Sequence, residues 1–159
     1  MPMWQLFERA QQALAQMPGF SWALAVVIGG VFGSYLTCAL YRSPRGLSLW
    51  APPSECPQCH TPLGAADLVP VLSWFWRRGR CGFCGVSIPA RYVLIEVLAV
   101  CLALVAHAIT GAGFLWLPLF GAMLALFFAG WLALAWHRLA WRSVAFALLC
   151  LGFYAWIAL

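Results

Sequence analysis

The sequence predicts an all-α polytopic membrane protein, with about four transmembrane helices and one large cysteine-containing loop. Of its 159 residues, 65% are hydrophobic and 8% are charged, whereas a soluble domain carries about 25% charged residues. So few charges cannot cover a surface that faces water, and we therefore expect lipid to be the main solvent. Ten Trp and eleven Phe residues suit aromatic belts at the two bilayer interfaces.

The N-terminal segment, residues 1–19, is predicted to lie in the membrane interface. Trp4, Phe7 and Leu14 recur at roughly helical spacing between glutamines and the charged Glu8 and Arg9, which is typical of an interfacial helix. An ordinary solvated extension is the alternative. No basic stretch precedes an apolar core here, so the pattern of a secretory signal peptide is not met.

Four apolar runs are predicted to be transmembrane helices. The first has no charge and is long enough to span the ~30 Å hydrocarbon layer, and its small residues, among them Gly33 and Ser34, allow close helix packing. The second run carries Glu96 near its start and His107 near its end, and the last is slightly short for a full span. The four segments are residues 20–41, 92–109, 114–136 and 143–159.

Residues 42–91 are predicted to form a compact domain outside the membrane. Seven prolines interrupt any long helix in this stretch. A domain of about fifty residues cannot build a large core, and such domains usually need a metal ion or a disulfide to stay folded.

The arginines predict the topology of the chain. Nine Arg and no Lys are present, and eight of the nine lie in two segments, Arg42–Arg91 and Arg138–Arg142. Four crossings place both segments on one side, which the positive-inside rule makes cytoplasmic, with both termini outward. This distribution favours membrane orientation over nucleic-acid binding, and the cluster of Arg77, Arg78 and Arg80 is expected to hold the loop to anionic lipid.

The loop contains two C-x-x-C pairs that are predicted to bind zinc. Twenty-one residues separate Cys56–Cys59 from Cys81–Cys84, close to the spacing of zinc ribbons. Gly82 and Gly85 permit a tight turn and Pro57 stiffens the other. A closed site of four thiolates is structural and not catalytic. The predicted ligands are Cys56, Cys59, Cys81 and Cys84.

Three other roles are conceivable for these cysteines. Disulfides conflict with a cytoplasmic loop, where thiols stay reduced, and a single redox-active pair does not explain two matched pairs. His60 could replace one sulfur, although its position next to Cys59 favours a place outside the ligand shell. Cys38, Cys101 and Cys150 lie in apolar runs and are expected to be packing residues.

An ordered series of segments resembles the N-terminal part of type IV prepilin peptidases, the bifunctional leader peptidase/N-methyltransferases. The resemblance extends from about Gly29 to Val100, nearly half of the chain. The segments that carry it are Gly33–Leu36, Tyr41–Pro44, Ser48–Leu49, Pro52–Cys59, Asp67–Trp74, Arg78–Gly85, Ile88–Tyr92 and Ile95–Glu96.

The resemblance implies a multi-pass enzyme of the bacterial inner membrane. Members of this family cut the leader peptides of type IV prepilins and type II secretion pseudopilins after a Gly. They then methylate the new N-terminus with S-adenosylmethionine, and the zinc loop is usually linked to this methylation. Two membrane-embedded Asp residues, one of them in a G-x-G-D motif, perform the proteolysis.

The sequence departs from the family pattern at the protease site. Its acidic residues are Glu8, Glu55, Asp67 and Glu96, and the position expected for the first catalytic Asp lies in Leu134–Leu139, which has none. An aspartic protease needs two carboxylates, so autonomous peptidase activity is not expected. A further departure is Thr37, where the family commonly has Asn.

Two classes of function follow from this comparison. The chain is either an S-adenosylmethionine-dependent prepilin N-methyltransferase, alone or as half of a split enzyme with another membrane subunit, or a non-catalytic membrane subunit whose zinc loop is a docking scaffold. No G-x-G-x-x-G motif is present, so the methyl donor rests on the resemblance alone.

Four charged residues are the candidates for chemistry in the first case. Glu96 and Asp67 are candidate catalytic residues, and Arg91 and Arg42 are candidate substrate- or cofactor-binding residues. A charge inside a span is a functional-site hypothesis, but Glu96 could instead pair with Arg91 or Arg42 and lock the loop to the helix. Asp67 could equally be a helix-capping or turn residue.

Overall fold

The computed structural model describes residues 2–51, 53–111, 113–135 and 140–158, and in these ranges the chain is helical without a β-strand. Residues 136–139, which include Arg138 of the second basic segment, lie outside the described residues. The helices are α1 (Met3–Gln16), α2 (Pro18–Arg42), α3 (Leu72–Trp76), α4 (Arg91–Thr110), α5 (Trp116–Ala135) and α6 (Ala140–Ala158), with 3₁₀ turns at Ser43–Arg45 and Ala65–Leu68.

The membrane character of the fold is confirmed. Three described helical segments are long and apolar enough to cross a bilayer: Pro18–Arg45, Arg91–Thr110 and Trp116–Leu134. A fourth apolar segment, Ser143–Ile157, is shorter. The chain divides into two compact units, Gly30–Ala99 and the combination of Met1–Gly29 with Val100–Leu159.

In the unit formed by the two ends of the chain, α1 packs on the turn between α4 and α5. Phe7 stacks on Phe114 with ring centroids 5.7 Å apart, and Leu14 is buried. Met3 and Trp4 remain exposed on the same helix. The interfacial position of this segment stays a prediction, and the exposed apolar residues are compatible with it.

The same unit contains a buried hydrogen bond between α2 and α4. His107 Nε2 lies 3.0 Å from Ser21 Oγ, and the Ser21 hydroxyl donates to the Pro18 carbonyl at 2.9 Å. The imidazole ring packs between Trp22 and Trp116, at centroid distances of 4.3 and 6.2 Å. His107 therefore joins α4 to the first turn of α2.

Small residues bring the helices into close contact in both units. Ala122, Ala125 and Ala147 form a buried cluster between α5 and α6, and Cys150 packs against it, as expected for a packing residue. In the other unit, a Cβ added at Gly33 of α2 would lie 2.9 Å from Ala99 Cβ of α4. Such an approach between backbones requires glycine.

Candidate functional site

The first cysteine pair lies in a tight turn closed by two backbone hydrogen bonds. The Cys56 N–H donates to the Thr61 carbonyl at 3.0 Å, and the His60 N–H donates to the Cys56 carbonyl at 2.9 Å. These bonds fold Cys59 back toward Cys56. They also place His60 in the left-handed region, with φ +54°.

The second cysteine pair repeats this geometry. The Cys81 N–H donates to the Val86 carbonyl at 2.9 Å, and the Gly85 N–H donates to the Cys81 carbonyl at 3.0 Å. Gly85 occupies the left-handed position, with φ +72°, where the sequence predicted that glycine would permit a turn. In the first turn His60 occupies the same left-handed position. This conformation is sterically strained for His60 because it has a Cβ.

The two turns bring the four predicted cysteine ligands together. Their sulfur atoms all lie within 4.8 Å of one another, and Cys56 Sγ and Cys84 Sγ are 3.8 Å apart. Four sulfurs held tetrahedrally at ~2.3 Å from a zinc ion would be ~3.8 Å apart, whereas disulfide sulfurs are bonded at ~2.05 Å. The described cysteines are free thiols, so this cluster can hold a metal ion.

The electrostatics of the cluster favour a bound cation. The hydroxyl and backbone N–H of Thr61 lower the pKa of the Cys59 thiol to about 6, and backbone N–H groups of Cys84 and Phe83 lower the pKa of Cys81. The Val86 N–H acts in the same direction on Cys84, but desolvation and the neighbouring sulfurs raise its pKa to about 11. Thiolates this crowded repel one another, so a fully deprotonated set needs a positive ion between them.

His60 lies outside the sulfur cluster. Its Nδ1 is 3.2 Å from Glu55 Oε1, and 72% of its side chain is exposed. The clustered donor set contains the four cysteines without this histidine, which agrees with the interpretation of its position in the sequence.

Asp67 joins the first half of the loop to the second cysteine turn. One carboxylate oxygen accepts hydrogen bonds from Arg77 Nε at 2.8 Å and lies 2.7 Å from Arg77 Nη2, while the other accepts the Gly64 N–H at 3.3 Å. A side chain at Gly82 would collide with the Arg77 guanidinium. The structure thus gives Asp67 the turn-stabilising contact that was the alternative to catalysis.

Glu96 holds a strained turn of the loop against α4. Its Oε2 accepts a hydrogen bond of 2.7 Å from the Val71 N–H, and the Ser34 hydroxyl is a second partner. Val71 has φ +63° and ψ −54°, and the Leu72 N–H donates to the Pro70 carbonyl at 2.6 Å. This is the rare γ-turn geometry, which a β-branched residue adopts only under strain.

The contacts of Glu96 in the described part of the chain are with the Val71 backbone and the Ser34 hydroxyl. Among the described residues, the ion pairs join Asp67 to Arg77 and Glu55 to His60. The Val71 N–H is thus a loop group that binds the Glu96 carboxylate. The sequence offered no signal for this contact, since the unusual conformation of Val71 depends on a carboxylate 25 residues away.

The two candidate binding arginines have different surroundings. Arg42, at the end of α2, donates to the carbonyls of Ser48 at 3.0 Å and Pro53 at 3.4 Å. Arg91, at the start of α4, is exposed and lies over the ring of Tyr92, 5.5 Å from its centroid. Arg42 thus stabilises the beginning of the loop through its carbonyl groups, whereas the side chain of Arg91 is exposed.

A cleft of about 300 Å³ lies between α2 and the loop. Tyr35 and Trp50 form its aromatic part, with ring centroids 6.1 Å apart, and Trp50 is 86% exposed. Ser34, a partner of Glu96, and Pro70, whose carbonyl accepts the Leu72 N–H, also line it, so the strained turn shapes one wall. The full lining is Val31, Ser34, Tyr35, Cys38, Arg42, Leu49, Trp50, Pro53, Ser54, Leu68 and Pro70.

The aromatic part of this cleft is not predictable from the sequence pattern. Tyr35 belongs to an apolar run and Trp50 to a loop, and neither position has a pattern that singles it out. The only sequence signal is the resemblance itself, because Tyr35 lies inside a segment that carries it.

Comparison with known proteins places the chain in a family. Residues 27–110 match the model described as "Bacterial Peptidase A24 N-terminal domain", which is more than half of the chain and includes the four cysteines, Glu96 and the cleft. No solved structure matches the chain.

Similar curated proteins carry the name "Prepilin leader peptidase/N-methyltransferase". One from Pectobacterium carotovorum subsp. carotovorum is 34% identical over 64% of this chain and 43% of its own length. One from Dickeya chrysanthemi is 36% identical over 65% and 44%, and one from Klebsiella pneumoniae is 33% identical over 70% and 50%. The chain thus spans about half or less of the relatives that it matches, and it belongs to the bacterial peptidase A24 N-terminal domain family.

Proposed function

We propose that this chain N-methylates the N-termini of processed prepilins or pseudopilins, with S-adenosylmethionine as the methyl donor, in the inner membrane of a bacterium. The observation that carries the proposal is the cleft beside the zinc loop, which lies wholly within the family-matched residues. Its volume falls at the lower end of the range of small-molecule sites, about 300–1,000 Å³.

The residues of the cleft suit this methyl donor. Tyr35 and Trp50 offer aromatic faces on which an adenine ring can stack and near which a sulfonium cation is attracted. The donor supplies an electrophilic methyl group when bound. Arg42 lines the same cleft and suits a carboxylate, whereas the exposed Arg91 lies over the ring of its neighbour Tyr92.

The acceptor must be a neutral amine in order to attack a methyl group. An α-amino group has an ordinary pKa of about 7.7–8.0, so a substantial fraction is neutral near pH 7.5 without a strong base. Glu96 binds Ser34, a residue that lines the cleft. In this proposal its carboxylate attracts the ammonium form of the peptide N-terminus, which loses its proton to solvent before the neutral amine attacks the methyl group. Asp67, already paired with Arg77, has no direct part in the reaction.

A methylation assay tests this function. Purified zinc-containing protein in lipid should transfer a labelled methyl group to a synthetic peptide with a mature pilin N-terminus. Replacing Trp50 with Ala should abolish transfer, and replacing Phe83, an exposed loop aromatic outside the cleft, should leave it intact. Absence of transfer, even with copurifying membrane proteins added, would reject the enzyme.

We also propose that zinc is the metal and that its role is structural. Four soft thiolate ligands in a closed tetrahedral site select zinc over harder divalent ions. Substituting Ser for Cys56 and Cys81 should remove the bound metal, because only two thiolates remain, and should make the loop sensitive to protease. Metal analysis of the unmodified protein that finds no zinc, together with disulfide-linked cysteines, would contradict this assignment.

A split enzyme is the variant of this function in which another polypeptide supplies the protease. The residues of this chain contain no Asp beyond position 67, so they do not themselves supply a membrane-embedded aspartate pair. A membrane protein carrying such Asp residues should then copurify with this chain and restore leader cleavage.

A non-catalytic scaffold is the competing function, and one observation favours it. Both candidate acids have internal partners: Asp67 binds Arg77, and Glu96 binds the Val71 backbone. In a scaffold the zinc loop would dock to a membrane complex, and the W50A variant would bind that complex weakly. Neither the unmodified protein nor the W50A variant would transfer a methyl group.

A further inference from the structure

One face of the α3 turn exposes large apolar side chains on the zinc loop. Leu72, Phe75 and Trp76 are 54%, 61% and 55% exposed, and their spacing places them on one side of the turn. Trp74 points the other way, because its Nε1 donates to the Ile88 carbonyl at 3.1 Å. The three residues Leu72, Phe75 and Trp76 are called the α3 face below.

The position of the α3 face along the membrane normal follows from its hydrogen bond to α4. The residue before α3, Val71, donates its N–H to Glu96, and Glu96 lies five residues after Arg91, where the candidate span Arg91–Thr110 begins. At about 1.5 Å per residue, this carboxylate lies roughly 7 Å along the helix. The α3 face therefore starts beside the first turns of the span, at the level where that span enters the bilayer.

The charges next to α3 match an anionic surface. Arg78 and Arg80 lie within a few residues of the end of α3, and both are exposed. The two acidic residues of the loop are engaged elsewhere among the described residues, since Asp67 pairs with Arg77 and Glu55 with His60. A positive edge beside an apolar face is the arrangement that binds headgroup phosphates above an acyl boundary.

We propose that α3 lies in the membrane interface, with the α3 face inserted at the acyl boundary and Arg78 and Arg80 on anionic lipid headgroups. Lipid is the occupant because it fills the space around a span at this depth, and the Glu96–Val71 hydrogen bond prevents the turn from moving away. Exposed apolar groups on this scale would otherwise face water. The proposal depends on the membrane fold and not on methyl transfer.

Site-specific photocrosslinking tests the proposal with the full chain. The change Trp76→p-benzoylphenylalanine is introduced, and the protein is reconstituted in vesicles of phosphatidylethanolamine and phosphatidylglycerol. Illumination should give lipid adducts at residue 76, and the same probe at Gln58, exposed in the first cysteine turn, should give none. The double variant R78Q/R80Q should reduce the share of phosphatidylglycerol among the adducts.

The competing occupants give different products. Adducts to another protein at residue 76, equal lipid adducts at residues 58 and 76, or no lipid adducts at residue 76 would each overturn the proposal. Metal content checks that the labelled protein is folded. If the probe at residue 76 disrupts the loop, the change Phe75→p-benzoylphenylalanine on the same face replaces it. The same adducts then support or overturn the proposal.

Discussion

The metal-binding turns show how a single backbone angle matters at the residue scale. Both turns need a residue in the left-handed region at the position after the second cysteine, and the chain uses Gly85 in one and His60 in the other. For a residue with a Cβ this conformation costs roughly 1–2 kcal/mol. The first turn is therefore the weaker of two otherwise matched halves.

The substitution His60→Gly should stabilise the metal-binding loop by about 1 kcal/mol, because it removes the steric cost of the left-handed angle. The lost contact with Glu55 is solvent-exposed and contributes little. The measurement is the denaturant midpoint for release of the bound metal. The matched change Gly85→Ala should shift this midpoint in the opposite direction, and a shift of the same sign in both variants would contradict the explanation.

The substitutions Glu96→Leu and Glu96→Gln separate the positioning role of Glu96 from its chemical role. Leu leaves the Val71 N–H without an acceptor, at a cost of about 1–3 kcal/mol, so the loop should become protease-sensitive. Gln keeps an acceptor and should retain the loop structure.

The kinetics of methyl transfer by the E96Q variant then show whether the negative charge of Glu96 contributes to the reaction. A role for the carboxylate in orienting the ammonium group predicts a raised KM for the peptide with the loop intact. Unchanged kinetics would leave Glu96 with the structural contact alone.

At the scale of elements, the contact between α2 and α4 supports both the cleft and the strained turn. Gly33 on α2 faces Ala99 and the backbone of Glu96 on α4, so the helices meet where Glu96 reaches the loop. Any widening of this contact would move the carboxylate away from Val71. The small-residue cluster predicted to serve helix packing therefore also positions a candidate functional residue.

The substitution Gly33→Val should destabilise the protein by about 1–3 kcal/mol, because its side chain must displace the α4 backbone. Thermal unfolding in detergent, followed by metal release, measures this change. The control Gly130→Val lies on α5, where an added Cβ meets nothing within 4 Å, and should be nearly neutral. Equal losses in the two variants would show that general helix propensity, and not the close contact, is responsible.

At the scale of the whole molecule, the charge distribution predicts which side of the membrane holds the metal. The Arg42–Arg91 segment carries six of the nine arginines, and the positive-inside rule predicts that it lies in the cytoplasm. A cytoplasmic position also keeps the four thiols reduced and available to a metal. The topology and the chemistry of the site thus support one another.

Reporter fusions test this orientation. A fluorescent protein joined after Gly64 should fluoresce, because the loop is predicted to be cytoplasmic, and alkaline phosphatase joined there should be inactive. The opposite result is expected after Gly111, in the turn that follows α4. Phosphatase activity at Gly64 would reverse the topology and would make disulfides the expected state of the cysteines.

The sequence by itself determined the fold class, the four-sulfur set and the family. Each of these depends on local patterns: apolar runs long enough to cross a bilayer, and cysteine pairs whose spacing suits one ion. The exclusion of His60 from the ligands followed from the same local reasoning.

Only the tertiary structure decided what the acidic residues contact. Asp67 meets Arg77 across 10 residues of sequence, and Glu96 meets Val71 across 25. Such pairs depend on where the chain returns in space, and no local pattern encodes that position. The cleft at Tyr35 and Trp50 arises in the same way, because the contact of α2 with a loop brings its walls together.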